Sequence, residues 1–229
     1  MFYDLQEVEA YVEHFYLNED NGFAEVDVEG FISHIDVKKV PNFDYETGAS
    51  KLVIIPWGRD YVIKIPFNGE YQCGWDEDGK EYDYFEPFCG AHDCLYGDNY
   101  CEAERIAYND AITDGWDDFF MPIYLVTWKN GYPIYVQERV DCFCNDTEDI
   151  DQASYSSQEA RDKLKNNNAG CSLARLWLAS CLTVLDSLDE LNEFIQYLRS
   201  TEIIQDLHRG NLGYSHGKPV IVDYGGYYD

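Results

Sequence analysis

Two short β-rich runs near the end of the chain, Asn211 to Tyr214 and Pro219 to Val222, flank the turn sequence Ser215-His216-Gly217-Lys218. That pattern predicts a β-hairpin. One acid, Asp206, stands before the first strand, and another, Asp223, follows the second, seventeen residues on. The amide of Asn211, five residues past Asp206, opens the first strand between them. A hairpin brings its two outer ends together, so two carboxylates and an amide converge at one end of it. Such an oxygen set can hold Mg²⁺. A carboxylate not used on the metal can take a proton from an attacking hydroxyl.

The segments before the hairpin supply helices and strands in a definite order. Asp189 to Arg199 puts Leu191, Phe194, Ile195 and Leu198 at helical spacing and runs straight into the Asp206 loop. Leu173 to Leu185 is apolar around the whole wheel, the pattern of a buried helix. Tyr100 to Ile112 reads as a helix with Ile106, Ala107, Ala111 and Ile112 inward, and Leu5 to Phe15 as an amphipathic one. The runs Lys51 to Pro56 (KLVIIP) and Tyr61 to Pro66 (YVIKIP) are strands joined by the turn Trp57-Gly58-Arg59-Asp60. Phe119 to Tyr124, Leu125 to Lys129 and Pro133 to Val140 continue as strands, with Asn130-Gly131 a strong turn signal. Residues 68–100 form an acidic insert with little periodicity, and Cys142 to Gly170 is polar, with a helix over Gln158 to Lys165. Lys64 lies inside its β-branched run, where burial is costly unless an anion partners it.

At 229 residues the chain fits one domain or one two-lobed unit. Its 44 acidic and 16 basic residues give a formal charge of −28, which repels nucleic acid and membrane lipid and favours a basic partner. No run approaches a membrane span, and the first residues lack the basic and apolar regions of a signal peptide, so a cytoplasmic protein is expected. The eight cysteines then read as reduced thiols. Cys73, Cys89, His92, Cys94 and Cys101 crowd one region without a second pair at a usual zinc spacing, and a metal site there stays open.

The sequence D-L-H-R-G-N over Asp206 to Asn211, followed by V-D-Y-G over Val222 to Gly225, resembles the catalytic loop and Asp-Phe-Gly segment of the protein-kinase-like phosphotransferases. Y-V-I-K-I around Lys64 resembles the strand whose lysine holds the α- and β-phosphates of ATP. The resemblance spans about residues 45 to 226 and implies an α+β, two-lobed kinase-like fold. A five-stranded antiparallel small lobe with one helix (45–140, with the insert at 68–100) would follow an N-terminal extension (1–44). A reduced helical lobe (141–229) would carry the catalytic hairpin. Carried over, Lys64 orients the phosphates of ATP, and Glu104 fixes Lys64, with Glu102 the other candidate. Asp206 deprotonates the acceptor hydroxyl, while Asn211 and Asp223 hold Mg²⁺. Gly48, Ala49, Ser50 and Lys51 take the place of the glycine-rich loop, with one glycine where kinases have three. The backbone of Gln137, Glu138, Arg139 and Val140 would meet adenine.

Gln205 stands where protein kinases have the arginine of His-Arg-Asp, and His208 where serine/threonine kinases have lysine. The D-L-H-x-G-N order is more similar to aminoglycoside and lipopolysaccharide sugar kinases. Six residues follow Asp223, so the expectation is a miniature kinase without an activation segment, similar in kind to compact kinases of some bacterial viruses. The expected reaction is transfer of the γ-phosphoryl group of ATP to a protein hydroxyl, or to that of a small molecule. The alternative is an inactive pseudokinase whose acidic surface binds a basic protein.

Overall fold

β-branched side chains fit an extended backbone better than a helix, and KLVIIP and YVIKIP are strands over the residues expected. In the computed structural model, residues 3–12, 43–47, 51–66, 69–75, 80–87, 99–129, 132–142, 177–208 and 210–225 are described. The fold is α+β, and the chain divides into two units, Met1–Glu102 with Ile123–Arg139, and Ala103–Pro122 with Val140–Asp229.

The first unit holds helix α1 (Leu5–Val12) and strands β1 (Phe43–Thr47), β2 (Lys51–Pro56), β3 (Tyr61–Pro66), β4 (Gly69–Trp75) and β5 (Glu81–Pro87). Strands β6 (Ile123–Lys129) and β7 (Tyr132–Glu138) complete it. Five of these strands form one antiparallel sheet in the order β1-β2-β3-β7-β6. Side chains alternate between the faces of a strand, and the sequence alternation sorts them. Leu52 and Ile54 of β2, Ile63 and Ile65 of β3, and Ile134 and Val136 of β7 pack with Val8, Tyr11 and Val12 of α1. Lys51, Lys64 and Gln137 fall on the other face by the same parity. All three are buried.

Glu7 pins α1 to the turn after β2. Its carboxylate accepts from Arg59 Nε at 2.9 and 3.0 Å, from an Arg59 terminal nitrogen at 2.8 Å and from the Tyr61 hydroxyl at 3.0 Å. The Arg59 bonds hold Glu7 below its ordinary pKa of 4.5, against the opposing effect of burial, and the Tyr61 bond adds to the lowering.

The insert is more ordered than its acidic composition suggests. β4 and β5 pair as an antiparallel hairpin in register from Gly69↔Pro87 to Trp75↔Glu81. The aromatic β-formers Tyr82, Tyr84 and Phe85 were present in the sequence, but the charged residues between them concealed the strand.

Helix α2 (Tyr100–Asp114) extends two residues past the expected end. Asn99 caps it, its side-chain oxygen accepting from the Glu102 amide at 2.9 Å. The buried line is Cys101, Glu104, Ala107 and Ala111. Ile106 and Ile112, expected inward, are instead exposed, because the steps of three and four residues that define the buried face select the alanines and Glu104.

In the second unit, Asp117–Phe119 is a 3₁₀ turn rather than the start of a strand, and Phe120 makes only an isolated bridge to Ile221. Residues 177–180 are helical and buried all round, as expected. The helix gives way to a 3₁₀ turn at Cys181–Thr183, short of Leu185. Helix α3 (Leu188–Ser200) matches its expected span. Ser187 caps it by accepting from the Glu190 amide at 3.2 Å, and Glu190 accepts from the Asp186 amide at 2.8 Å. Its Phe194 lies at the centre of the core, 4.4 Å from the Phe119 ring and 5.2 Å from Trp116 between ring centroids. Truncating such a ring typically costs about 3–5 kcal/mol. Strands β8 (Asp141–Cys142), β9 (Leu212–Ser215) and β10 (Lys218–Ile221) form a three-stranded sheet in the order β10-β9-β8. The first amphipathic helix is helical over Leu5–Val12, and its expected continuation to Phe15, like Gln158 to Lys165, lies outside the described residues.

Because the folded pKa of Glu7 is depressed, its ion pair stabilises the protein above about pH 4.5 and loses that contribution as pH falls through the lower folded value. The urea midpoint of wild type should exceed that of Glu7→Gln by a constant margin at neutral pH and converge on it in acid. A margin independent of pH would rule out this role for the carboxylate.

Candidate functional site

The β9–β10 hairpin forms from sequence signals that act locally. His216 and Gly217 have φ of 50° and 82°, the two positive values that a two-residue type I′ turn requires. The turn is thus tighter than the four-residue one expected. β9 and β10 pair in register from Ser215↔Lys218 to Leu212↔Ile221. The ladder continues at its open end, where the Val222 amide donates to the Asn211 carbonyl at 2.8 Å. Asp223 therefore follows a residue tied directly to Asn211.

Asp206 arrives from the other direction. It ends the 3₁₀ turn Ile203–Asp206 that follows α3. The side-chain nitrogen of Asn211 donates to the Asp206 carbonyl at 3.0 Å and to its carboxylate Oδ2 at 3.1 Å. With the nitrogen committed to Asp206, the amide oxygen is the atom of Asn211 suited to a cation. Asn211 is buried and Asp206 and Asp223 are half-buried. The structure thus bonds the Asn211 amide to Asp206 and places the backbone of Asp223 next to a residue paired with Asn211, at the open end of one hairpin.

Asp223 has φ of 55°, a left-handed conformation that non-glycine residues seldom adopt and that Asp tolerates better than most. The next residue is anchored twice. The Tyr224 amide donates to Glu104 Oε1 at 3.1 Å, and its hydroxyl donates to the Met121 carbonyl at 2.7 Å. Glu104 is fully buried. Glu102, the other candidate, accepts from the Tyr135 hydroxyl at 3.0 Å; burial chiefly pushes that phenol's pKa up, and the Glu102 carboxylate adds to the rise. Of the two glutamates, Glu104 is the one that meets the Asp-Tyr-Gly segment.

His208 was read from the sequence only as a departure from the kinase pattern. The structure gives it a place. Its Nδ1 accepts from the Gly210 amide at 3.1 Å, so the neutral ring carries its proton on Nε2, which lies 3.7 Å from Asp206 Oδ1. A side chain at Gly210 would come within 3.0 Å of the same ring, which explains the glycine there.

In the first unit, Lys64 sits in the middle of β3, opposite Val53 on one side and Tyr135 on the other. Lys51 opens β2, and both lysines are 4% exposed. Gly48, Ala49 and Ser50 lie outside the described residues. Gln137 belongs to the ladder of a strand with neighbours on both sides. β7 stops at Glu138, so Arg139 and Val140 are not in a strand, and the Arg139 amide donates to the Asp60 carbonyl at 2.9 Å. The expected offer of four successive backbone positions to adenine is reduced accordingly. The division between the units falls between Arg139 and Val140.

Among the described residues, no three His, Cys, Asp or Glu side chains gather as a metal-holding group. The candidate Mg²⁺ ligands are one carboxylate and one amide, with remaining positions suited to phosphate and water oxygens. Of the cysteine-rich cluster, only Cys73 and Cys101 are described. No helix among the described residues is long and apolar enough to cross a membrane. Compared with protein-family models, curated proteins and solved structures, the chain matches none.

The amide at Asn211 has a structural consequence of its own. Asn211→Leu removes the side-chain donor to the Asp206 carboxylate and one of the two donors to its carbonyl, the His208 amide at 2.9 Å remaining, and should cost roughly 1–3 kcal/mol in urea unfolding. Asp206→Asn retains an acceptor oxygen and should stay within about 0.5 kcal/mol of wild type. Equal losses in the two variants would contradict the observed bonding.

Proposed function

We propose that the chain is an ATP- and Mg²⁺-dependent phosphotransferase with a kinase-like two-lobed fold, moving the γ-phosphoryl group to a hydroxyl, foremost on a protein. The observation that carries this reading is the Asn211 amide, bonded to Asp206 on one side and joined through Val222 to Asp223 on the other. A base and two cation ligands must stand within one small space for this chemistry, and the bonds among these three segments support that arrangement. The lysine on the third strand of a five-stranded antiparallel sheet also supports it, as does the change of unit just after β7.

In this reaction Asp206 accepts the proton of the acceptor hydroxyl as its oxygen bonds to the γ-phosphorus and the bond to the ADP oxygen breaks. Lys64 neutralises phosphate oxygens, helped by Lys51 at the start of β2. Asn211 and Asp223 would hold Mg²⁺, which would supply positive charge to the phosphates. Glu104 holds the backbone of Tyr224 and so orients Asp223. Catalysis is chiefly positioning and charge neutralisation.

A second reading rests on the net charge of −28. On it, the chain is a non-catalytic module of the same fold that binds a basic protein through its acidic surface, with nucleic acid and membranes excluded by repulsion. The cytoplasm is the compartment that both readings propose.

The melting temperature with and without Mg²⁺ and ATP tests the site. Ligand at 100 times its dissociation constant adds about 2.7 kcal/mol, a rise of several degrees for a domain of this size. The rise should require Mg²⁺ and vanish in Asp223→Ala. Asp206→Ala should keep the rise and lose about a hundredfold or more in transfer rate, the usual worth of a general base. No rise at millimolar ATP overturns the enzyme reading; a rise without transfer to any hydroxyl favours the binding module.

A further inference from the structure

The second unit contains a cleft of about 310 Å³ that the proposed reaction does not use. It lies at the turn end of the β9–β10 hairpin, one strand length, roughly 13 Å, from the end that carries Asn211 and Asp223. Phe120, Met121 and Val220 give it an apolar wall, and Asp117, Asp118 and Lys218 give it charge. The size and the mixture of surfaces suit one side chain or a small ligand.

The charges do not cancel. Lys218 Nζ is 2.8 Å from Asp118 Oδ1, so that pair is internally neutral. The Asp117 carboxylate makes no hydrogen bond or ion pair with any described residue, although Asp117 is half-buried. His216 also borders the cleft, and its Nδ1 lies 3.0 Å from the Ser215 hydroxyl oxygen. With a neutral imidazole, the cleft holds one carboxylate in excess over its cations. An apolar wall ending in an uncompensated carboxylate complements a side chain with a hydrocarbon stem and a cationic head.

We propose that this cleft receives an arginine side chain from a basic protein partner. This rests on the reading above that a basic protein is what the chain recognises, and it names where. Arginine is favoured over lysine because its planar fork can engage Asp117 and the unpaired oxygen of Asp118 together, whereas an ammonium is a point charge. The chain's net charge of −28 draws such a partner in. The cleft then fixes one residue of it.

The test uses the full chain without nucleotide, titrated calorimetrically with a short blocked peptide bearing one arginine among glycine and alanine. The citrulline counterpart, equal in shape but uncharged, is the control. The arginine peptide should bind about tenfold or more tighter than the citrulline peptide. Asp117→Asn should weaken it about fivefold, and Lys218→Met should strengthen it by a similar factor, because the substitution removes the cation that competes for Asp118. That opposite response is what a merely structural pair would not produce. The Asp117 carboxylate makes no hydrogen bond or ion pair with the described residues, so the melting temperature of its Asn variant should match wild type. Arginine-specific binding unchanged by both substitutions would overturn the cleft and leave the basic-partner reading standing. Failure of the arginine peptide to bind at all would remove both.

Discussion

The side chain of Asn211 ties together two pieces of chain that also share a core through Ile203, Leu207, Leu212 and Ile221. One is the 3₁₀ turn that α3 delivers; the other is the hairpin that closes the described sequence. The amide nitrogen satisfies the Asp206 carbonyl and reaches its carboxylate, and the Asn211 carbonyl takes the Val222 amide. The Asp206 carbonyl also takes the His208 amide at 2.9 Å, so the Asn211 bonds add about 0.5–1.5 kcal/mol each to the packing that holds turn and hairpin together. The same bonds bring the Asp206 and Asp223 segments together. Structure and the proposed chemistry thus draw on one residue, and no variant at Asn211 separates them cleanly.

Much of this was legible in the sequence, for physical reasons that differ by element. β2, β3 and α3 were found at or near their true limits because their apolar periodicity is unmixed and their turns and caps carry their own chemistry. The β4–β5 hairpin was missed because charge interrupts its alternation, and pairing between two weak strands is not a local property. Ile106 and Ile112 misled because composition suggested they face inward, whereas the buried line of α2 runs through two alanines and a glutamate. Phe119 to Tyr124 looked extended from its residues alone. Its first half instead turns to place Phe119 against Phe194, a demand of packing that no local propensity encodes. The Asp206, Asn211 and Asp223 grouping was visible because a hairpin has only one way to bring its ends together. The bond from Arg139 to Asp60 was not, since it spans 79 positions of sequence.

The charge distribution runs against composition. Acidic residues outnumber basic ones by 44 to 16, yet both Lys51 and Lys64 are buried while most described aspartates are not. Burying an ammonium is costly unless something anionic repays it. In so acidic a chain the cheap arrangement would keep its few cations outside to relieve repulsion. Placing two of them on one face of the central sheet forgoes that relief. The proposed phosphate contact of Lys64 would use one of the two.

The backbone at Asp223 makes a related point. Glycine would adopt φ of 55° without strain, and a side chain there costs on the order of 1 kcal/mol or more. The flanking bonds hold the conformation in place: Val222 to the Asn211 carbonyl at 2.8 Å and Tyr224 to Glu104 at 3.1 Å. Each is worth about 0.5–1.5 kcal/mol, more where the acceptor is a carboxylate, which is enough to offset the strain. The fold therefore bears a conformation that suits glycine while carrying a carboxylate instead, with its neighbours clamped on both sides. Backbone stability does not call for an acid at that position. The proposed hold on Mg²⁺ would, and buried Glu104 together with the Met121 carbonyl fixes Tyr224 beside it.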